Sequence, residues 1–374
     1  MKSLSNRTGF YSTIGKGLTA YQAFFPQPLP FHPDIQYDNE LIFLLTKAAR
    51  YLTEINTMTK HADVPIFIAS MIRKEALLSS QIEGTQATIE DLFTAETTML
   101  VNEDVEEVFQ YQKAFSFAIN TLKKMPLSLR LIKEIHAILL DSKRGQHQQP
   151  GVFRQSQNWI GSPGSTIQSA KFVPPPPDAM VKALFDLEKW IHDPNPVHHA
   201  LINAGLLHYQ FETIHPFLDG NGRLGRMLVM LYLIEKNELT SPYLYLSYAL
   251  KKHQQTYYTN LSESRNQGKL EDWLKFFLTS INEACETTLL IFENLRKLKA
   301  LHESFIPQKY WLYLRYIESH PIFTVEGMMS TLKKPYDQVN RMVVRLRSLN
   351  IITTQQRAKK NRRYVYESLL KVVQ

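Results

Sequence analysis

Cysteine is almost absent from this sequence, which has one, Cys285, in 374 residues. A framework of internal disulfides is therefore excluded, and a reducing compartment is expected. Long hydrophobic runs are missing as well, because the longest strongly apolar run, Met227–Ile234, is far shorter than the ~20 residues that a membrane-spanning helix needs. The first thirty residues contain no apolar segment typical of a signal peptide. We therefore expect a cytoplasmic protein that does not enter the membrane.

Acidic residues are scarce only at the C-terminal end. From Pro321 to Gln374 there are eleven Lys and Arg against three acidic residues. Because the whole chain has 43 basic and 35 acidic residues and a net charge of +8, the remainder is balanced. The length exceeds that of one ordinary core and indicates two or three domains. The charge asymmetry indicates that the last of them is a separate C-terminal module.

Helical periodicity dominates residues 38–141, where four segments carry apolar residues at three- and four-residue spacing. The second is predicted to begin after Pro65 and to end at Gly84, because proline suits a first helical turn and glycine suits a helix end. Between Gln155 and Pro177 the sequence reads "QSQNWIGSPGSTIQSAKFVPPPP". Two β-prone pieces around a Gly/Ser/Pro tip predict a β-hairpin there.

The segment His215–Arg226, "HPFLDGNGRLGR", contains a dinucleotide-binding pattern in the wrong context. Gly220–Gly225 fits G-x-G-x-x-G, but that fingerprint needs a preceding β-strand and an acidic residue about 20 positions on, after the next strand. The preceding segment "LINAGLLHYQFETI" has helical periodicity, and a buried helix follows. A Rossmann fold is therefore rejected. A phosphate-binding P-loop is rejected too, because no G-x-x-x-x-G-K-[ST] occurs.

The same segment is better explained as a helix, a tight loop and a second helix that binds an anion. Gly220 and Gly222 let the backbone turn, and a helix beginning at or near Arg223 would direct unpaired N–H donors at the loop. Arg223 and Arg226, three residues apart, share a helix face and could clamp a polyphosphate.

Two side chains add chemistry to this anion site. Asp219 is a hard oxygen ligand suited to Mg²⁺, and His215 can take a proton from a hydroxyl at neutral pH. The alternative is a histidine at a helix end, followed by a glycine-rich turn with solvated arginines. Each residue alone is compatible with that alternative, whereas the combination favours phosphoryl or nucleotidyl transfer.

The complete segment resembles the signature of the Fic family, His-x-Phe-x-Asp/Glu-Gly-Asn-Gly-Arg-x-x-Arg. The resemblance implies a mainly α fold: a helical Fic (Fido) core with a β-hairpin flap, an N-terminal helical segment and a C-terminal winged-helix (α+β) module. It implies that His215 deprotonates a Ser, Thr or Tyr hydroxyl of a target protein, which attacks the α-phosphate of ATP. AMP is then transferred and pyrophosphate leaves.

The resemblance also assigns roles within the segment. Phe217 would anchor the loop in the core, and Asp219 would hold Mg²⁺. The implied phosphate contacts are Gly220, Asn221 and Gly222 as a cradle, with Arg223 and Arg226 on the β- and γ-phosphates.

Two further segments extend the resemblance. The predicted hairpin looks like the family's flap, which pairs with an extended target segment and whose Ile160 and Gly161 would line the nucleotide site. "YYTNLSESRN" resembles the family's nucleotide-base region, in which Tyr258 and Asn266 would contact adenosine. Alternatively, this aromatic pair packs in the core.

"SSQIEG" fits the family's inhibitory-helix pattern through Ser79, Glu83 and Gly84. The resemblance implies that Glu83 pairs with Arg226 and takes the place that the γ-phosphate of ATP needs. The same carboxylate could serve in removing AMP from a target. Alternatively, Glu83 is a solvated residue near a helix end.

The remaining histidines are predicted to be structural. His198, His199 and His208 do not have a zinc-binding spacing. His208, Glu212 and His215 are spaced for one helix face, and we expect local hydrogen bonding there rather than a metal site.

Residues 301–374 are predicted to form the winged-helix-like module, after an N-terminal region (1–112, inhibitory helix about 65–84) and the Fic core (113–300). Residues 340–350 would be a recognition helix and 357–363 a wing, and their positive charge suits DNA phosphates. Alternatively, the module docks a protein or a partner subunit, since a homodimer is plausible for the family. Two functions compete with adenylyl transfer: a DNA-binding regulator that senses nucleotide, and transfer of another phosphate-containing group.

Overall fold

The computed structural model describes residues 5–60, 64–98, 101–355 and 362–373. Over these residues the chain forms fifteen α-helices and six short strands, as the prediction of a mainly α fold requires. None of the helices within the described ranges is both long and apolar enough to cross a membrane. The helices before the glycine-rich segment are α1 (Asn39–Lys60), α2 (Val64–Ile82), α3 (Ile89–Thr98), α4 (Glu103–Leu122), α5 (Leu129–Leu139), α6 (Pro177–Ile191) and α7 (Ala200–Ile214). The later helices are α8 (Asn221–Glu235), α9 (Leu246–Lys252), α10 (Gln254–Gln267), α11 (Leu270–Phe305), α12 (Trp311–Ser319), α13 (Val325–Leu332), α14 (Tyr336–Ser348) and α15 (Glu367–Val373).

Helices α7 and α8 form the centre of the core. Every residue of α7 from Leu201 to Ile214 is buried, and α8 is almost as fully enclosed. A helix that is buried all round belongs in the middle of a helical assembly rather than at its surface. The two helices pack against each other, and the 36-residue α11 packs on α7 and α1. The short loop 215–220 therefore joins two helices that are both enclosed in the core.

Local sequence explains where several helices begin and end. Asn102 caps α4, because its side chain accepts a hydrogen bond from the Val105 N–H at 2.8 Å. Ser128 caps α5 in the same way through the Leu131 N–H. Gly84 follows α2 with a φ of +104°, the left-handed region in which glycine ends helices at little cost. The predicted end of the second helix at Gly84 thus agrees with the structure.

The N-terminal region is not purely helical, contrary to the prediction for residues 1–112. Strands β1 (Ser5–Asn6), β2 (Gly9–Ile14) and β3 (Tyr21–Pro26) form an antiparallel sheet in the order β1-β2-β3. β3 buries Ala23 and Phe24, which as neighbours point to opposite faces of the sheet, and aromatic residues such as Phe24 and Phe25 favour strands. The sequence did not reveal this sheet, because its strands are short and their alternation is weak.

The predicted flap is less regular than a two-stranded hairpin. One antiparallel bridge joins Ile160 to Phe172, with hydrogen bonds of 2.8 and 3.1 Å between their backbones. The Phe24 N–H donates to the Val173 carbonyl at 2.9 Å, so β3 lies against the second side of this hairpin. Ser, Gly and Pro in the tip supply few cross-strand contacts, which accounts for the short ladder.

The described C-terminal residues combine short helices with three short strands. After α12 come β4 (Ile322–Thr324), α13, α14, β5 (Thr353–Thr354) and β6 (Arg363–Val365), with the strands paired antiparallel as β4-β6-β5. Identification as a winged helix stays a prediction, and most of the proposed wing 357–363, namely residues 357–361, lies outside the described residues. The predicted boundaries at 112/113 and 300/301 fall inside α4 and α11, so neither marks a break between elements.

Candidate active site

The loop after α7 starts from a strained residue. His215 ends α7 with a φ of +50°, a region that non-glycine residues enter rarely and only where their surroundings hold them. Arg154 provides that support: its Nε donates to the His215 carbonyl at 2.9 Å, and its backbone N–H donates to the Pro216 carbonyl at 2.9 Å. The Arg154 side chain is almost fully buried and also donates to the Pro175 carbonyl. One guanidinium therefore ties the histidine to the base of the flap.

The middle of the loop is fixed by Phe217. Asn221 brackets this residue with two hydrogen bonds, donating to its carbonyl and accepting from its N–H, each at 2.9 Å. The buried Phe217 ring stacks on His136 at 3.6 Å between centroids. His136 accepts from the Gly151 N–H at Nδ1, so its Nε2–H donates to the Asp219 carbonyl at 3.0 Å. Phe217 thus lies where the resemblance implies an anchor. The Asn221 side chain bonds to the backbone of Phe217 and so braces the loop, rather than serving in the implied phosphate cradle.

The second helix begins earlier than the sequence predicted. Gly220 caps α8 with a φ of +77°, and Asn221 and Gly222 already belong to the helix, whereas Arg223 was expected to start it. The first N–H groups of α8 therefore have no acceptor within the helix and are available to an anion. Gly222 is not a turn residue, because its φ is not positive. It provides space instead, since a Cβ there would stand 2.3 Å from Glu83 Oε1.

Arg226 and Glu83 meet above this helix end. Arg226 Nη2 donates to Glu83 Oε1 at 2.7 Å and to the Ser79 carbonyl at 2.9 Å, and its Nε donates to Ser79 Oγ at 2.9 Å. The Arg226 side chain is 1% exposed and that of Glu83 is 36% exposed. Burial alone would lower the pKa of Arg226, and neighbouring acidic groups, Glu83 foremost, outweigh burial and raise it. The contact predicted between Glu83 and Arg226 is present in the structure.

Arg223 and Asp219 occupy the other side of the loop. Arg223 lies 3.4 Å from Asp219 Oδ2 and 3.5 Å from Glu107 Oε2 on α4. Asp219 Oδ1 accepts from the Gly220 N–H at 2.6 Å, and its side chain is half exposed. A half-exposed carboxylate beside an anion site fits Mg²⁺, which is commonly bound by one carboxylate together with substrate phosphates. No group of three potential His, Cys, Asp or Glu ligands occurs among the described residues, so the protein would supply few ligands itself.

His215 is poised as a neutral base. Burial, and then the charge of Arg154, lower the pKa of its imidazole to about 4, so the ring is unprotonated at neutral pH. His208, two turns earlier on α7, is also neutral: burial lowers its pKa to about 4, and its Nε2 is 2.8 Å from the Tyr257 hydroxyl of α10. The expected local hydrogen bonding among His208, Glu212 and His215 is not found, because His208 bonds to another helix, and Glu212 Oε1 and His215 Nδ1 have no hydrogen-bond partner among the described residues.

The residues predicted to contact adenosine are not all brought together. Tyr258 packs on Tyr257 at 4.9 Å between centroids, and after burial the charge of Glu83 is the main cause that raises its pKa. Tyr258 therefore lies beside the anion site. Asn266 lies about 12 Å further along α10, at its exposed end, where its Oδ1 accepts from the Tyr11 hydroxyl. Ile160 and Gly161 lie on the flap, the former in its only bridge among the described residues.

Three residues of the site had no role in the sequence analysis: His136, Arg154 and Glu107. Each acts through a contact with a loop or helix far away in the chain, across 83, 61 and 116 residues respectively for their partners Asp219, His215 and Arg223. His136 was a lone histidine beside the apolar run "AILL", whereas Glu107 lies among other acidic residues and gave no such signal. Spacing alone could not have distinguished these residues from solvated ones.

Comparison with known proteins connects this geometry to a family. Residues 126–233 match the Fic/DOC family, and residues 42–120 match the Fic/DOC family N-terminal region, which together span half of the chain. Protein adenylyltransferase Fic from Drosophila ananassae is 26% identical over 221 residues, which cover 56% of this chain and 39% of the relative. The corresponding protein from Drosophila grimshawi is also 26% identical, with 41% of its length covered. The chain thus matches about two-fifths of the length of these relatives.

Solved structures share the fold. A Fic family protein from Desulfovibrio desulfuricans superimposes with a TM-score of 0.61 at 19% identity, covering 90% of this chain and 98% of that one. Fic-1 from C. elegans, residues 134–508, superimposes with a TM-score of 0.51 at 19% identity, covering 67% of this chain and 73% of that one. At such identities these similarities concern the fold alone.

Proposed function

Because the chain belongs to the Fic/DOC family, we propose that it is a protein adenylyltransferase that transfers AMP from ATP to a Ser, Thr or Tyr hydroxyl of a target protein, and that Glu83 restrains it. The curated relatives named protein adenylyltransferase support this proposal. The observation that carries it lies within six residues: a loop that ends on one side at a partly buried, neutral histidine and on the other at the N–H groups of the first turn of α8, which have no acceptor within the helix.

Each residue of the site has a separate role in the proposed reaction. His215 takes the proton from the target hydroxyl, and the hydroxyl oxygen bonds to the α-phosphorus as the bond to the pyrophosphate oxygen breaks. The first N–H groups of α8 bind phosphate oxygens, and Arg223 and Arg226 neutralise the departing pyrophosphate. Mg²⁺ held by Asp219 would supply further neutralisation of phosphate charge.

The resting arrangement disfavours productive ATP. Glu83 accepts a hydrogen bond from the guanidinium group of Arg226 and fills the space beside Gly222. The terminal phosphate of ATP would need the same donor and the same space. A carboxylate and a phosphate cannot share this position, because both are anions and both need the same donors. In the proposal Glu83 also orients water for the removal of AMP from a modified target.

The flap provides a docking edge for the target. The backbone of Ile160 is used by Phe172, so the N–H and C=O groups of its neighbours Trp159 and Gly161 point away from the hairpin. The opposite side is already covered, since Val173 accepts from β3. An extended target segment would therefore add beside residues 159–161 and present its hydroxyl to His215.

The test compares wild type, Glu83→Gly and the double variant Glu83→Gly/His215→Ala with Mg²⁺ and ATP labelled on the α-phosphate. Label on protein is expected mainly in Glu83→Gly and should vanish in the double variant. Label from the γ-phosphate but not from the α-phosphate would show that the reaction is phosphorylation and not adenylyl transfer. Absence of label from both, with folded protein, would refute the proposal.

A second candidate function, a nucleotide-sensing DNA-binding protein, is favoured by one surface. Helix α14 and the turn before it expose Lys333, Lys334, Arg341, Arg345 and Arg347 on the C-terminal module. Exposed basic side chains on one helix are the electrostatic footprint of phosphate-backbone binding.

The measurement is fluorescence anisotropy of a labelled DNA duplex at increasing salt. Arg341→Glu/Arg345→Glu should weaken binding. It should also reduce the slope of log affinity against log salt by the amount expected for the loss of about two phosphate contacts. The matched control, Lys113→Glu/Lys182→Glu, reverses two exposed charges on α4 and α6 and should leave binding nearly unchanged. An equal loss of binding in both double variants would mean that binding depends only on the net charge of the protein.

A further inference from the structure

Glu212 is a buried acidic residue that has no part in the roles above. It lies on α7 one turn before His215, and its Oε2 is 4.0 Å from His215 Nδ1. This distance is too long for a hydrogen bond, and the contact becomes an ion pair only when the imidazole is protonated. Within the described part of the chain, neither Glu212 Oε1 nor His215 Nδ1 has a hydrogen-bond partner. Two buried polar groups one turn apart are thus unsatisfied together, which is rare in folded proteins and calls for a reason.

The packing of α7 against α8 makes room for this carboxylate. A Cβ on Gly225 would stand 2.5 Å from Glu212 Oε1, so any larger residue at 225 would displace it. Burying a carboxyl group without a full set of partners costs free energy, whereas an apolar side chain in the same space would not. Burial raises the pKa of Glu212 to about 7, which shows how strongly the site resists its charge. A purely structural role does not explain why an acid occupies this position.

The charged groups around Glu212 come from α8, from α10 and from the turn after α2. After burial, Arg226 of α8 and Arg265 of α10 lower its pKa, and Glu83 at the end of α2 raises it. His215 lies in the same field: Arg154 and Arg265 disfavour its imidazolium, and Asp219 favours it. Tyr257 of α10 also lies within electrostatic range of Glu212. A histidine that gains a proton here enters a buried and largely positive site, so it needs a nearby negative charge.

We propose that Glu212 is a positioning residue for His215: its carboxylate keeps a proton on Nδ1, which leaves the Nε2 lone pair for the target hydroxyl, and offsets the positive charge of the imidazolium. The proton of the hydroxyl passes to Nε2, while Nδ1 keeps its own and interacts with the carboxylate. The reaction step rests on the proposed adenylyl transfer, but the position of the Nδ1 proton does not. The main-chain carbonyl of Glu212 also favours a protonated ring and is retained in any side-chain variant.

The kinetic test uses two substitutions that separate charge from shape, both in the Glu83→Gly protein with α-labelled ATP. Glu212→Gln keeps the size of the side chain and removes its charge. It should lower kcat for self-labelling about 10- to 100-fold with KM for ATP within about twofold, and abolish the rise of kcat with pH that ionisation of Glu212 produces. Glu212→Asp keeps the charge and should retain that rise. A structural role predicts the reverse, with Gln tolerated and Asp harmful, and that result would overturn the proposal.

A second readout does not depend on any transfer activity. Nitrogen NMR of ¹⁵N-histidine-labelled, full-length wild-type protein near pH 7.5 reports which ring nitrogen of His215 carries the proton, with the signal assigned by its loss in His215→Ala. A proton on Nδ1 is expected. A proton on Nε2 would overturn the proposal whatever the kinetics show. If the Glu83→Gly protein transfers no label, but the Nδ1 proton is present in wild type and lost from Nδ1 in Glu212→Gln, the proposed function fails and the positioning role stands. A proton that stays on Nδ1 in Glu212→Gln would assign it to the main-chain carbonyl and overturn the proposal.

Discussion

Glu83 Oε1 lies so close to Gly222 that it leaves no room for a side chain there: a Cβ on residue 222 would stand 2.3 Å from this oxygen. The same oxygen accepts the 2.7 Å hydrogen bond from Arg226 Nη2. The carboxylate therefore rests on the first turn of α8. This close approach connects the end of α2 to α8, and its contribution to stability can be measured without nucleotide.

Substitution Gly222→Ala should reduce stability in a way that depends on Glu83. Alanine favours a helix interior by up to about 1 kcal/mol, but its Cβ would push the Glu83 carboxylate away from Arg226. Denaturant unfolding of the four proteins in a double-mutant cycle with Glu83→Gly should give a coupling of at least about 0.5 kcal/mol. Gly225→Ala is the matched control, because its Cβ would meet Glu212 instead. Equal coupling for both glycines would contradict the direct contact.

Ser79→Ala should partly release Arg226. The substitution removes the Oγ acceptor of Arg226 Nε in a buried position, which we expect to cost about 1–3 kcal/mol of unfolding free energy and to raise self-labelling to a level below that of Glu83→Gly. Ser80→Ala is the control, since Ser80 is equally buried and its Oγ has no hydrogen-bond partner among the described residues. Comparable effects at both positions would show that Arg226 does not depend on Ser79.

Arg154→Met should damage the loop without touching the glycine-rich segment. Methionine fills much of the space but cannot donate to the carbonyls of His215, Ser156 and Pro175. Leaving buried carbonyls unpaired should lower the unfolding free energy by about 2–4 kcal/mol. The measurement is thermal or denaturant unfolding, with Arg130→Met, at a site 79% exposed, as control. A loss no greater than that of the control would mean that Arg154 does not hold His215 in its left-handed conformation.

Glu75→Gln should change how stability depends on pH. Glu75 is buried on α2 and accepts hydrogen bonds from Ser247, yet burial raises its pKa from 4.5 to about 7. Since the folded pKa lies above the unfolded value, its contribution to stability is complete below pH 4.5 and is lost as pH rises through about 7. Relative to Glu75→Gln, the wild type should lose up to about 3 kcal/mol over this range. A pH-independent difference between the two proteins would contradict a buried, protonated Glu75.

Local sequence determined the parts of the site that depend on backbone preference and short spacing. The segment from His215 to Arg226 predicts a helix, a tight turn and a second helix, because glycines and periodic apolar residues affect the backbone conformation only of residues a few positions away. The helix α8 starts two residues before Arg223, and Asn221 braces the loop through Phe217, a contact that spacing does not express.

The tertiary structure decided which distant side chains meet. The pattern at Ser79–Gly84 predicted a contact, but the packing of α2 over α8 brings Glu83 to Arg226 across 143 residues of chain. Arg154, Glu107 and Glu212 acquire their environments in the same way. Such contacts follow from the sum of many weak apolar contacts among buried helix faces, which no single residue encodes. The sequence by itself therefore determined the chemistry that is available, and the packing of the helices decided the charges, burial and partners with which it operates.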